Sequence, residues 1–191
     1  TISNVSAGTN QWWVVGAGTT TVAGGATNSG SGTAFVKTNT GTAILMASNA
    51  WAGNKYIREG TVVLSNNNAM GSAGTIFIGA TTNAATSTLQ IGSGIINSNA
   101  ITVEGGGTGT RTLSYAANSG TGTQLGSITL NTNSMAINVA SGGTMLFGGG
   151  ITVNTSAGGV NRLALDGGGT LIVTNNGSGI SGSDRYQVRI G

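Results

Sequence analysis

Short aliphatic stretches alternate with clusters of small polar residues along the whole chain. GTIFIG (74–79), STLQIG (87–92), GSITLN (126–131), GGTMLFG (142–148) and GGTLIVTNN (168–176) each set Gly, Ser or Thr ahead of alternating or continuous aliphatics. Such runs of about five residues, bounded by Gly, Asn and Ser, read as strands. The pattern predicts strands near 11–15, 19–23, 33–38, 42–47, 55–58, 61–65, 75–78, 87–91, 95–97, 100–104, 111–116, 123–130, 135–139, 144–147, 151–154, 162–165, 170–174 and 186–190. GGATNSGSG (24–32), SNNNAMGSAG (65–74) and NNGSGISGSD (175–184) read as turns, with Gly available for positive φ. Good helix formers are scarce beside Gly, Thr, Asn and Val, so the predicted class is all-β.

A sandwich, a barrel and a parallel solenoid all accommodate many short strands, and three observations favour the solenoid. The hairpin signal Asn-Gly occurs only once, at Asn176-Gly177. Gly41 to Gly60 aligns with Gly169 to Gly191, each opening on Gly-Thr and aliphatics and closing with an aliphatic, Ile57 or Val188, three residues before Gly. The third observation is the low charge, 6% of residues. In stacked coils each side chain lies over a similar one, where like charges repel while Thr, Asn and aliphatics stack well. The expected fold is a right-handed parallel β-helix over residues 1–191, as one segment and possibly a unit of a longer array. Coils of roughly 20 to 25 residues give about eight or nine rungs and a rod on the order of 40 Å long, with Ile, Val, Leu and Ala inside.

Composition agrees. The chain has 191 residues, 36 of them Gly, no Pro, and 38% hydrophobic residues, enough to bury a core and so distinguish it from a Gly-rich linker. Collagen is excluded, because Gly has no three-residue period and Pro is absent.

The best-defined unit runs from residue 41 to 71: Gly41-Thr42, Ile44-Leu45, Asn49, Trp51, Gly53, Ile57, Gly60-Thr61, Val63-Leu64, and Asn68 followed by Ala69-Met70-Gly71. This series resembles the autotransporter passenger-associated β-strand repeat; residues 168–191 resemble it in part. The resemblance implies a right-handed parallel β-helix in a bacterial surface or secreted protein, with an extracellular structural role and no catalytic residues to carry over. A chain of 191 residues with 5% aromatics does not hold both a coil and a lipid-facing barrel with aromatic girdles. It begins with Thr and shows no signal peptide or transmembrane segment, which reads as a mature product or an excised section.

The termini suggest growth. The chain starts TISNV and finishes YQVRIG without a polar or helical cap, and joining RIG to TISNV regenerates a Gly-Thr-aliphatic start. The expectation is continuation in a longer chain or head-to-tail stacking into a homopolymeric filament, with Thr1, Ile2, Val5, Tyr186, Val188, Ile190 and Gly191 at the subunit interface. Gly-Thr is frequent enough here for the seam to arise by chance.

Reactive chemistry is sparse. Without His or Cys there is no Ser-His or Cys-His pair and no zinc site built from those ligands. Glu59, Glu104, Asp166 and Asp184 are too scattered to argue for a catalytic pair, although an Asp166 and Asp184 site on neighbouring coils is the hydrolase alternative. No calcium-binding nonapeptide occurs, and the GxGxxG match at Gly177, Gly179 and Gly182 lacks a following helix. No catalytic residue, cofactor or metal is therefore assigned. A net charge of +3 from dispersed Lys37, Lys55, Arg58, Arg111, Arg162, Arg185 and Arg189 is a weak footprint for nucleic acid. Lys55/Arg58 and Arg185/Arg189 occupy comparable places in the two aligned units, which predicts one solvated edge facing Glu59 and Asp184 or an acidic partner.

Two surface features remain. Trp12 and Trp13 are adjacent on a predicted strand, so one faces the core and the other is a candidate glycan or partner contact, the adhesin alternative. Thr-x-Thr spacing at Thr38/Thr40/Thr42, Thr108/Thr110/Thr112 and Thr121/Thr123 is a candidate hydroxyl array of the ice-binding kind, although Thr is also the natural outward residue of a stacked strand.

Overall fold

The computed structural model describes residues 5–6, 10–131, 133–154, 162–174, 180–182 and 187–190. These contain strands and turns but no helix, and every strand pairing among them is parallel. The fold is a parallel β-solenoid. Among the described residues two ladders of eight strands run along it, accompanied by a three-stranded and a four-stranded ladder. One long ladder, the tryptophan face, begins with Trp12–Val14 and continues through Thr33–Lys37 and Asn54–Ile57. The other, the threonine face, begins with Thr19–Val22 and continues through Thr42–Leu45 and Gly60–Leu64.

The period of two along each strand builds the interior. In Ile76–Ile78, Ile101–Val103, Ile128–Leu130 and Ile151–Val153 the outer two residues are buried and the middle one is partly exposed. The register stacks Ile76, Ile101, Ile128 and Ile151 in one inward column. Each aliphatic therefore packs on an equivalent one in the next coil, which is the cross-strand pairing that stabilises a sheet. Toward the start of the solenoid the column continues through Lys55 to the aromatics Phe35 and Trp12, and Trp51 packs against both from the three-stranded ladder. Phe35 stacks on Trp51 with ring centroids 4.9 Å apart, and Trp12 tilts against Trp51 at 6.4 Å.

Corners are tight. At Gly60, with φ +80°, an added Cβ would overlap the carbonyl oxygens of Gly41 and Asn39 in the preceding coil. Gly126 lies as close to the Asn99 carbonyl and breaks the run expected over 123–130 into Thr121–Gln124 and Ile128–Leu130. Three further strands, Ala26–Asn28, Ala50–Trp51 and Ile180–Gly182, fall where the composition reads as turn.

The 41–71 unit owes its pattern to burial. The Asn49 side chain accepts from the Ala26 amide at 2.8 Å and donates to the Ala69 carbonyl at 2.6 Å, tying three coils together. Trp51, Ala69 and Met70 are buried, and Gly71, at φ +74°, leaves no room for a Cβ against the Trp51 carbonyl. The proposed alignment of Gly41–Gly60 with Gly169–Gly191 does not survive as a spatial repeat. Thr42–Leu45 belongs to the threonine face, whereas Thr170–Val173 belongs to the four-stranded ladder. Gly-Thr marks a corner leading into a strand, and corners precede strands on more than one face.

Candidate functional site

The outward column of the tryptophan face reads Trp13, Val36, Tyr56, Phe77, Thr102, Thr129 and Thr152 in successive register. Trp13 is 58% exposed while Trp12 is buried at 9%, so the adjacent pair divides between surface and core as strand parity requires. Trp13 donates from its indole nitrogen to Gln11 Oε1 at 3.1 Å. Trp12 offers no surface for a glycan. Tyr56 and Phe77 stack at 4.9 Å, and the Arg58 guanidinium lies 4.5 Å from the Tyr56 ring centre, so these ring faces are used within the protein.

On the threonine face, Thr19, Thr42, Thr61, Thr88 and Thr112 are consecutive register partners in one outward column. Thr40, Glu59, Thr86 and Thr110 lie two residues earlier, and backbone bonds from Gly60 N to Thr86 O at 2.8 Å and from Ser87 N to Thr110 O at 2.9 Å carry the ladder to them. Two depressions of about 360 Å³ each open along this edge. The first is lined by Thr40, Glu59, Thr61, Thr86 and Thr88, with Ala84 and Ala85 beside them. The second is lined by Thr108, Thr110, Arg111, Asn133, Ser134 and Ala136, with Met135 and Ala164 beside them. The Thr-x-Thr pairs thus divide: Thr40/Thr42 and Thr110/Thr112 share this edge, and Thr121/Thr123 sit on the four-stranded ladder. Thr38 continues the tryptophan face, where its amide bonds Val14 O at 3.1 Å.

Among the described side chains three cations lie inside the solenoid, and Lys55 is one of them, so it does not lie with Arg58 on the solvated edge expected for the pair. Lys37, Lys55 and Arg111 are buried. Lys37 Nζ donates to the carbonyls of Thr38 at 2.6 Å, Asn39 at 2.5 Å and Glu59 at 3.3 Å. Lys55 Nζ donates to Trp51 O at 3.3 Å and to Ala73 O. Arg111 binds the carbonyls of Gly107 at 2.7 Å, Ala80 at 3.2 Å and Gly109. Each charge is held by backbone oxygens at a corner. Burial lowers the Lys55 pKa to about 8 and lowers those of Lys37 and Arg111 as well, with Glu59 opposing the shift at Lys37. Arg58 pairs with Glu104 and donates to Gly79 O at 3.0 Å, so its acidic partner is not Glu59.

Arg189 is on the threonine face and Lys55 on the tryptophan face, so the two do not share an edge. Of the expected interface, Val5, Val188 and Ile190 fall in strands, whereas Thr1, Ile2, Tyr186 and Gly191 lie outside the described residues, as do Arg185, Asp184, Gly177 and Gly179. Asp166 is exposed and accepts from the Gly167 amide at 2.9 Å. Among the described residues no three His, Cys, Asp or Glu side chains come together to hold a metal, and no helix is long and apolar enough to cross a membrane.

Comparisons with protein-family models, curated proteins and solved structures give no match. The geometry alone carries the functional reading.

Sequence reasoning missed the buried cations, although a signal was there. In Asn54–Ile57 the alternation puts Lys55 on the same side as Ile57, and in Thr33–Lys37 it puts Lys37 on the side of Phe35.

Proposed function

We propose that the chain is a structural segment of an extracellular bacterial filament or surface layer, in which the coils of neighbouring units continue one another. The observation that carries this reading is the pair of eight-stranded parallel ladders formed by the described residues. Hydrogen bonds in such ladders point along the rod axis, and a further coil adds to the end in the same way as each internal one. Among the described residues, Trp12–Val14 and Thr19–Val22 end their ladders on one side, and Ile180–Gly182 and Gln187–Ile190 on the other. Strands in that position offer backbone donors and acceptors to an incoming strand. A head-to-tail contact of this type is heterologous and does not close, so it propagates.

The side chains suit mechanical work. The inward columns are chiefly aliphatic, the corner cations are hydrogen-bonded by backbone carbonyl oxygens, and Asn49, Asn97 and Gln124 bond from coil to coil. Sedimentation velocity of the purified chain over a wide concentration range tests the reading. Stepwise growth into longer species of constant cross-section is expected; one sharp monomer boundary at every concentration contradicts it.

A further inference from the structure

The geometry points to a groove for a linear, uncharged polysaccharide along the outer edge of the threonine face, a function separate from the scaffold role. The two depressions follow one another over six successive strands, from Thr42–Leu45 to Arg162–Asp166. At ~4.8 Å per strand they extend over about 24 Å, the reach of an extended oligosaccharide rather than of a small molecule. A pyranose ring is about as long as one coil is high, so successive sugars meet successive rows of side chains.

The lining fits that ligand. Thr40, Thr61, Thr86, Thr88 and Thr110 each present a hydroxyl that both donates and accepts, beside a methyl that packs against the C–H face of a sugar. Asn133 adds an amide in the second depression. Glu59 is the carboxylate in the first, and it accepts from paired sugar hydroxyls as a charge-assisted bond. At the first depression its negative charge disfavours an acidic chain such as a uronate polymer or a nucleic acid; in the second, the Arg111 guanidinium is engaged by the carbonyls of Gly107, Ala80 and Gly109. Behind it, Lys37 Nζ reaches the Glu59 carbonyl at 3.3 Å and fixes this stretch of backbone from inside.

Ice is the other ligand of a threonine grid, and the structure disfavours it on two counts. Glu59 interrupts the hydroxyl column with a charge, and the surface is concave with Ala84 and Ala85 lining it, whereas an ice plane requires a flat face. Trp13 lies on a different ladder and takes no part.

Affinity electrophoresis of the full chain through gels containing hydroxyethylcellulose, mannan or dextran tests the assignment. Retardation by at least one of them is expected. Glu59→Ala and, independently, Thr88→Trp, which fills the first depression, each weaken it at least tenfold, while Trp13→Ala leaves it unchanged; circular dichroism confirms that each variant is folded. Three results overturn the proposal: no retardation in any of the three gels, retardation abolished by Trp13→Ala but kept by both groove variants, or arrest of ice growth that Glu59→Thr strengthens in a chain no polysaccharide retards.

Discussion

The ammonium of Lys55 donates to the backbone carbonyl of Trp51 at 3.3 Å from inside the solenoid, in the inward column that otherwise holds Phe35 and Ile76. A charge there has lost its water and gained only carbonyl dipoles, so burial lowers its pKa from 10.5 to about 8. The consequence for stability follows from proton linkage. Below pH 8 both folded and unfolded chains carry the proton, and the folded state bears the full desolvation cost. Between about pH 8 and 10.5 the unfolded chain binds more protons than the folded one, so stability rises with pH across that window.

The melting temperature is therefore expected to increase from pH 8 to pH 10.5, with a Lys55 contribution of order 3 kcal/mol. Lys55→Met, which extends the apolar column, keeps or raises stability at pH 7 and flattens most of that rise. Lys37, whose pKa is also lowered, supplies a residual slope of the same sign. Thermal melts of both proteins at several pH values check this; a fall in wild-type stability over the same range contradicts it.

Two glycines with similar backbone angles differ in what surrounds them. Gly60 has φ +80° and no room for a Cβ against Gly41 and Asn39, while Gly94 has φ +74° and open space. Gly94→Ala is expected to cost about 1 kcal/mol, the backbone penalty alone. Gly60→Ala adds a steric conflict with the preceding coil and is expected to cost at least about 3 kcal/mol. Urea titrations of the two variants measure the difference; equal losses would contradict the stacked-corner explanation.

A buried amide pair makes a third case. Asn97 donates to Gln124 Oε1 at 2.7 Å, and Gln124 Nε2 donates to the carbonyls of Asn99 and Gly126, each at 2.9 Å. Gln124→Leu strands those partners and is expected to cost about 2 to 3 kcal/mol. The same column continues into Phe147, so Asn97→Leu/Gln124→Leu lengthens an apolar stack and costs less than the sum of its single changes. A double-mutant cycle by denaturant unfolding reads this coupling directly.

The parallel solenoid was legible because its two determinants are local. Strand parity sorts Ile76 and Ile78 inward and Phe77 outward, and the small polar clusters place the corners. Register was not legible. Coil length varies, from 19 residues between Thr42 and Thr61 to 29 between Ile151 and Ile180, so similar words such as GTAIL and GTLIV fall on different faces. The strand Ala26–Asn28 was hidden in a Gly-rich cluster, because its partners Val5–Ser6 and Ala50–Trp51, and the Asn49 side chain that accepts from the Ala26 amide, belong to other coils. The groove edge was half visible in the Thr-x-Thr spacing. Its depth and the inclusion of Glu59 depend on coils far apart in sequence.

Negative-stain electron microscopy of the purified chain tests the central claim most directly, since continuation of one coil by the next is visible as shape. The account predicts unbranched threads of uniform width that lengthen with concentration. Discrete particles of fixed size at every concentration would contradict it.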